Sequence, residues 1–299
     1  MADYRAAALV DDMYLRGYLP EDNSDFRPDV VLRLMSDELR GYVVELLRDA
    51  DGDHLVVPVV VDVAAGQESV RVPHRAVANG VRRVAIVREG HQDQQMAQVS
   101  PDDQQLGVAG YFFRGGRLVF SPPPSQALRL RLDCLLRPSE LVSSDYGTIT
   151  SITPSGDNVV VGFSGSVGLA DGPQRMDLVR ASPPFDALAV EALGTLAGTT
   201  WTVPAAELIE TPEVGDYLCQ PDTSPVPQVP LELHALLSQR VSAMVLQSIG
   251  DSGAGRAYDR CEEMRAQCLR LLTPRDIGAR HYLISALSRG VERVRGRRR

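Results

Sequence analysis

Around Gly52 the spacing of apolar residues changes, and that change constrains the fold more than any other feature. Upstream, in FRPDVVLRLMSDELRGYVVELLRDADG (26–52), Val31, Met35, Leu39, Tyr42 and Leu46 recur at steps of four and three, which places them on one face of a helix. Pro28 suits a first helical position and Asp29 sits beside the positive helix end. The Ala-rich stretch before it, closed by Gly17 and Pro20, also reads as helical. From His54 the pattern becomes short Val-rich runs punctuated by Gly and Pro: HLVVPVVVDV, ESVRVP, RRVAIV, GYFFRGGRLVF and ALRLRLDCLL. Gly115–Gly116 supplies the positive backbone dihedrals of a two-residue hairpin turn. In RLRLDCLL the alternation of Arg with Leu predicts a strand with one wet and one buried face. Further strands are expected around the PSGDN turn in 147–168, and PPFDALAVEAL (183–193) reads as a short helix.

At 225 the period changes back, in PVPQVPLELHALLSQRVSAMVLQSIGD. Pro225, Pro227 and Pro230 hold the entry extended, and Pro230 doubles as an early helical residue. Leu233, Leu237, Val241, Met244 and Ile249 line one side of the helix that follows. GDSGAG breaks it, after which Ala257, Cys261, Met264, Cys268 and Leu271 step by four and three in a heptad-like seam. The expectation is an antiparallel helical hairpin over 230–249 and 254–272. The fold class expected is α+β: N- and C-terminal helices form a helical bundle, with a β-rich domain inserted between them. Its parts would be 1–53 (N-terminal helices), 54–224 (β-rich domain), 225–273 (helical hairpin) and 274–299 (an Arg-rich docking segment).

The charge is unevenly distributed. All 31 basic residues are Arg, so every cation is permanently charged and able to grip a carboxylate or phosphate through two nitrogens. The last eleven residues, RGVERVRGRRR, hold six Arg and one Glu; against a net charge of −8, that +5 leaves −13 for the other 288. An acidic body argues against nucleic-acid binding over the whole surface, whereas the tail could meet an acidic groove or phosphate. Arg289, Arg293 and Arg297 would share one face of a helical tail, and Arg295, Arg298 and Arg299 complete the candidate docking set.

Sequences that invite a catalytic or metal reading lack essential parts. Asp49, Asp51 and Asp53 have the opening spacing of a calcium loop, but its sixth and twelfth positions are His54 and Val60 instead of Gly and an acid. GFSGSVG (162–168) misses the final Gly of a nucleophile elbow and continues as strand. A lysine-free chain cannot form a phosphate-binding Walker loop. The histidines show no ligand spacing, and Cys134, Cys219, Cys261 and Cys268, without a CxxC pair or signal peptide, read as reduced thiols of a cytosolic fold. No cofactor, metal or catalytic set is expected, which argues against an enzyme. The rival in that class is a hydrolase built on 147–200; another is a nucleic-acid-binding protein acting through its Arg tail.

The order of parts resembles a family. LVDDMYLRGYLPEDNSDFRPDVVLRLMSDELRGYVVELLRDADGDHLV is followed by ESVRVPHRAVANGVRRVAIV, GYFFRGGRLVFSPPP, LRLRLDCLLRPSELV and VPQVPLELHALLSQRVSAMVLQSIGD. Together these look like the head-to-tail adaptor (connector) proteins of tailed bacteriophages; 147–215 resembles them least. The resemblance implies a structural virion protein at the head–tail junction, assembled in the host cytoplasm. It would form a ring, a dodecamer, beneath the portal protein, join it to the tail or nozzle protein, and continue the DNA channel without specific DNA binding or membrane contact. It further implies that 275–299 reaches into the portal, that the helices pack subunits, and that 54–210 faces the tail. A tail-tube, baseplate or fibre-attachment protein is the near alternative.

Overall fold

The computed structural model describes residues 3–15, 24–50, 54–88, 90–102 and 109–273. The chain begins with α1 (Ala6–Leu15) and α2 (Pro28–Glu38), which runs through a π turn at Leu39–Val43 into α3 (Val44–Asp49). A sheet of four strands follows, in the order β1 (Val56–Val63), β7 (Leu128–Leu136), β3 (Ala76–Ile86), β4 (Gln94–Gln95). In β7, Leu130, Leu132, Cys134 and Leu136 are buried while Arg129, Arg131 and Asp133 point the other way, as alternation dictates. Pro58 is tolerated because β1 pairs only with β7 and is an edge. A smaller sheet holds β2 (Ser69–Arg71), β6 (Arg117–Ser121) and β5 (Gly110–Arg114), and Gly115–Gly116 joins β5 to β6 with positive φ at both positions.

Residues 146–219 form a closed six-stranded barrel. Its strands are β9 (Tyr146–Ser155), β10 (Asn158–Gly165), β11 (Gly172–Val179), β12 (Ala187–Ala197), β13 (Thr200–Pro204) and β14 (Tyr217–Cys219), and β14 closes on β9. Trp201, fully buried, fills the interior with Met176, Leu178, Val161 and Leu218. Gly194 makes that possible: a Cβ there would stand 2.4 Å from the Trp201 indole nitrogen and 2.6 Å from the Thr202 carbonyl oxygen. Outside the barrel, Ala187 and Val190 of β12 join the core of the two sheets.

Two short parallel strands, β8 (Glu140–Leu141) and β15 (Thr223–Ser224), lead to the proline strap and then to α4 (Glu232–Ser248) and α5 (Ala254–Leu272). Among the described residues no helix is long and apolar enough to cross a membrane.

This architecture overturns the expected α+β class, in which N- and C-terminal helices make a bundle flanking one inserted β domain. The fold is mixed but β-rich, and a closed barrel dominates its second half. The apolar cluster under the helices also takes Leu55, Leu135, Leu141 and Val229 from the β region and the strap, so the helices lie over a shared core and do not form a bundle of their own. The helix expected over 183–193 is also corrected, since most of it is β12. The first six residues of β12 are all buried, so both faces are covered and the apolar run lacks the alternation that marks a strand.

Candidate functional site

The most unusual chemistry in the molecule is a buried polar joint where sheet, barrel, strap and helices meet. Arg75, at the entry to β3, and Asp177, in the middle of β11, have almost no exposed side-chain surface, and Arg75 Nη2 lies 3.5 Å from Asp177 Oδ2. Arg75 Nη1 donates to Gln228 Oε1 of the strap at 2.9 Å and to Ser139 Oγ; Ser139 Oγ in turn donates to Gln228 Oε1 at 2.7 Å. Asp177 accepts from the backbone N–H of Glu191 (2.7 Å) and of Asp222 (3.1 Å). Asp222 also pairs with Arg40 of the π turn at 3.0 Å, and Arg40 Nε donates to the Pro138 carbonyl at 3.1 Å.

The local backbone is shaped to serve this network. Glu191 and Asp222 both adopt positive φ (48° and 66°), a region that costs a non-glycine residue about 1–3 kcal/mol and persists only where neighbours over-determine it. At Glu191 the β11–β12 register shifts between Met176 and Leu178, and the Asp177 carboxylate satisfies the N–H that this bulge leaves unpaired. The Glu191 carboxylate accepts from His74 N–H and lies 3.6 Å from Arg71. Burial pushes the Asp177 carboxyl above its ordinary range, while Arg75 and the two backbone donors oppose that rise. A lone buried charge is costly, so each member of the pair depends on the other and on the hydrogen bonds around it. The arrangement cross-links helices, sheet, barrel and strap through residues far apart in sequence.

Beside the joint, a cleft of about 200 Å³ is bounded by His54, Arg75, Phe185, Asp186 and Gln228 among others. It contains no cysteine, and thiol chemistry is suppressed elsewhere too. All four cysteines are free and buried, and burial pushes Cys134 up to about 12 and Cys261 to about 11, so both stay protonated thiols near neutrality. Among the described residues no three His, Cys, Asp or Glu side chains gather to hold a metal ion.

The expected helical packing residues are distributed unequally. Leu233, Leu237, Val241 and Cys261 are fully buried, Cys268 is nearly so, and Met244 and Met264 are half-buried. Ile249 and Leu271 are corrections: at 43% and 68% exposed they lie outside the seam. Cys268 lies level with the start of α4, its Sγ 3.5 Å from the Glu232 carbonyl oxygen, and the covered face continues through Leu272, which packs against the helix core and leaves Leu271 beside the seam. Ile249 caps α4 in the turn. Leu236, Ala243 and Val245, outside the expected stripe, are buried, since α4 is covered on more than one side. On the polar side, Arg240 pairs with Glu38 at 3.0 Å and stacks over Tyr42 (4.8 Å) and Tyr258 (5.2 Å). Asp49 of the calcium-like sequence pairs with Arg265 at 3.2 Å.

Arg289, Arg293, Arg295, Arg297, Arg298 and Arg299 lie outside the described residues. The sequence reading missed Arg40, Arg75, Asp177, Asp222 and Gln228. Its one available signal was the Asp of RMDLV, a charge set inside an apolar strand. No family model matches this sequence, and no curated protein shows significant similarity to it.

Proposed function

We propose that this chain is a structural part of a bacteriophage virion, a head-to-tail adaptor that forms a ring between the portal protein and the tail or nozzle protein. The observation that carries the reading is the buried joint: Arg75, Asp177, Gln228 and Arg40 hold barrel, sheet, strap and helices in one fixed relation. A part that transmits load between larger assemblies needs such fixity, whereas a catalyst needs a reactive group in an accessible pocket. The order of sequence segments points to the same class, and protonated, buried thiols offer no nucleophile.

In this reading the six arginines of the C-terminal tail dock on an acidic surface of the portal through bidentate contacts. The acidic body faces the DNA passage and lets the duplex slide without adhering. Copies in a ring meet head to tail, each presenting two different faces.

Cryo-electron microscopy of the particle that contains this protein tests the proposal. A closed ring between capsid vertex and tail, with acidic or neutral residues along the lumen, is expected. A position lower in the tail would make it a tail-tube, baseplate or fibre-attachment protein, and absence from the particle would refute the structural reading. Deleting 289–299 should abolish portal binding in a pull-down while leaving the circular-dichroism spectrum and thermal midpoint unchanged; retained binding refutes the docking role.

A further inference from the structure

Two surfaces of opposite sign carry charges that, among the described residues, have no partner of the opposite charge: Arg117 and Arg137 on one, Glu213 on the other. The first is a groove of about 580 Å³ beside β2 and the β5–β6 turn, lined by Val72, Val81 and Phe113 and by Arg71, Arg117 and Arg137, with no carboxylate among its lining residues. Arg71 reaches Glu191 at 3.6 Å, and Arg117 Nε donates to the neutral Ser69 hydroxyl at 2.9 Å. Among the described residues Arg117 and Arg137, both exposed, pair with no carboxylate. In a body of net −13, a concavity with three arginines and no acid is a local inversion of charge.

The second surface is the tip of the loop before β14, Glu213–Val214. Val214 is 67% exposed, and Glu213 is exposed and unpaired with Arg among the described residues. This tip is rigid. The buried Asp216 carboxylate accepts from Glu213 N–H at 2.7 Å and Ala181 N–H at 2.9 Å, and Gly215, at φ +103°, donates its N–H to the Ile149 carbonyl at 2.9 Å. An apolar side chain beside a carboxylate on a backbone already tied in place can dock without the cost of ordering the loop.

We infer that the Glu213–Val214 knob of one copy seats in the Arg71–Arg117–Arg137 groove of the next. Val214 would meet the apolar lining, and the Glu213 carboxylate would meet the Arg117 and Arg137 guanidiniums. No residue of the knob lines the groove of its own copy, so the contact uses two different surfaces, and repeating it builds a ring or an open filament. The Arg-rich tail is excluded as occupant because its charge has the same sign as the groove. The inference deepens the adaptor reading and rests on it only for the premise that copies meet head to tail.

Sedimentation velocity of the full chain at low ionic strength tests it, with Glu213→Arg and with Arg117→Glu/Arg137→Glu. The wild type should associate with rising concentration, and each variant should associate about ten-fold or more weakly. Mixing the two variants should restore association, because a reversed knob then meets a reversed groove and the intact pair also survives. All substituted positions are exposed, and unchanged thermal midpoints would confirm folding. A wild type that stays monomeric overturns the inference, and so does association indifferent to both reversals. The latter leaves a ring standing on other contacts. Charge-dependent association without a ring in the particle would keep the contact and remove the adaptor reading.

Discussion

The barrel interior and the joint beside it are both buried, yet they are built by opposite means. Around Trp201 the barrel is fixed by volume: Gly194 vacates the space the indole fills, and aliphatic side chains close the rest. Around Arg75 the joint is fixed by charge and directed hydrogen bonds, each reaching a different segment of chain. Packing is non-directional and suits one closed unit. Hydrogen bonds to charged groups are directional and suit the placement of separate units against one another. The molecule uses each where its geometry is needed.

The largest effect expected from breaking this comparison is at the joint. Asp177→Ala removes the Arg75 guanidinium's countercharge and leaves the buried Glu191 N–H and the part-buried Asp222 N–H without this acceptor, and removal of one member of a buried pair costs about 3–5 kcal/mol. Urea unfolding measures this. Replacing both members, as Arg75→Met/Asp177→Leu, should cost less than Asp177→Ala alone. If the double replacement is worse, the joint is held by its hydrogen bonds to Gln228 and Ser139 more than by the ion pair.

The barrel should respond to a single methyl group. Gly194→Ala drives a Cβ against the indole and against backbone, and overpacking of this kind costs about 1–3 kcal/mol. The chain has one Trp, so its fluorescence reports the barrel directly. A loss of stability accompanied by a shift in emission is expected, and an unperturbed emission spectrum would mean that Trp201 has room to move.

This contrast also explains what the sequence showed. The strands of the two sheets were legible because alternation, Gly115–Gly116 and the Gly/Pro punctuation are local signals. Leu233, Leu237 and Val241 were legible as an apolar stripe for the same reason. Barrel closure was not, since the pairing of β14 with β9 is a long-range fact and β12 lost its alternation by burial on both faces. The joint was barely legible because Arg75, Ser139, Asp177 and Gln228 are remote in sequence, and only Asp177, a charge inside an apolar strand, gave a local signal. Leu271 misled because after Cys268 the covered face continues at Leu272, four residues on, and leaves Leu271, three residues on, exposed. Steps of three and of four are both helical, and only the packing shows which of them stays on the covered face.

The smallest effect is a pH dependence at the margin of the joint. His234 is 3% exposed, stacks on Phe185 with ring centroids 4.9 Å apart, and places Nε2 3.2 Å from the Pro227 carbonyl oxygen. Burial holds its pKa below the ordinary 6.5, against the opposing pull of the Pro227 and Val229 backbone and of Glu232; Asp12 of α1 and Arg260 of α5 line the adjoining groove. Below 6.5 the unfolded chain takes up a proton that the folded chain resists, so His234's contribution is complete above 6.5 and is lost as pH falls toward the depressed folded value. Each unit of depression corresponds to about 1.4 kcal/mol. Urea midpoints at neutral and mildly acidic pH should therefore differ in the wild type, with less difference in His234→Phe, which keeps the stack on Phe185 and cannot titrate. Following the same unfolding by Trp201 fluorescence and by helical circular dichroism sharpens the comparison. Coincident shifts would mean that the joint couples barrel and helices into one cooperative unit. A dichroism transition that moves alone would mean that the barrel stands by packing even when the segments fastened to it come loose.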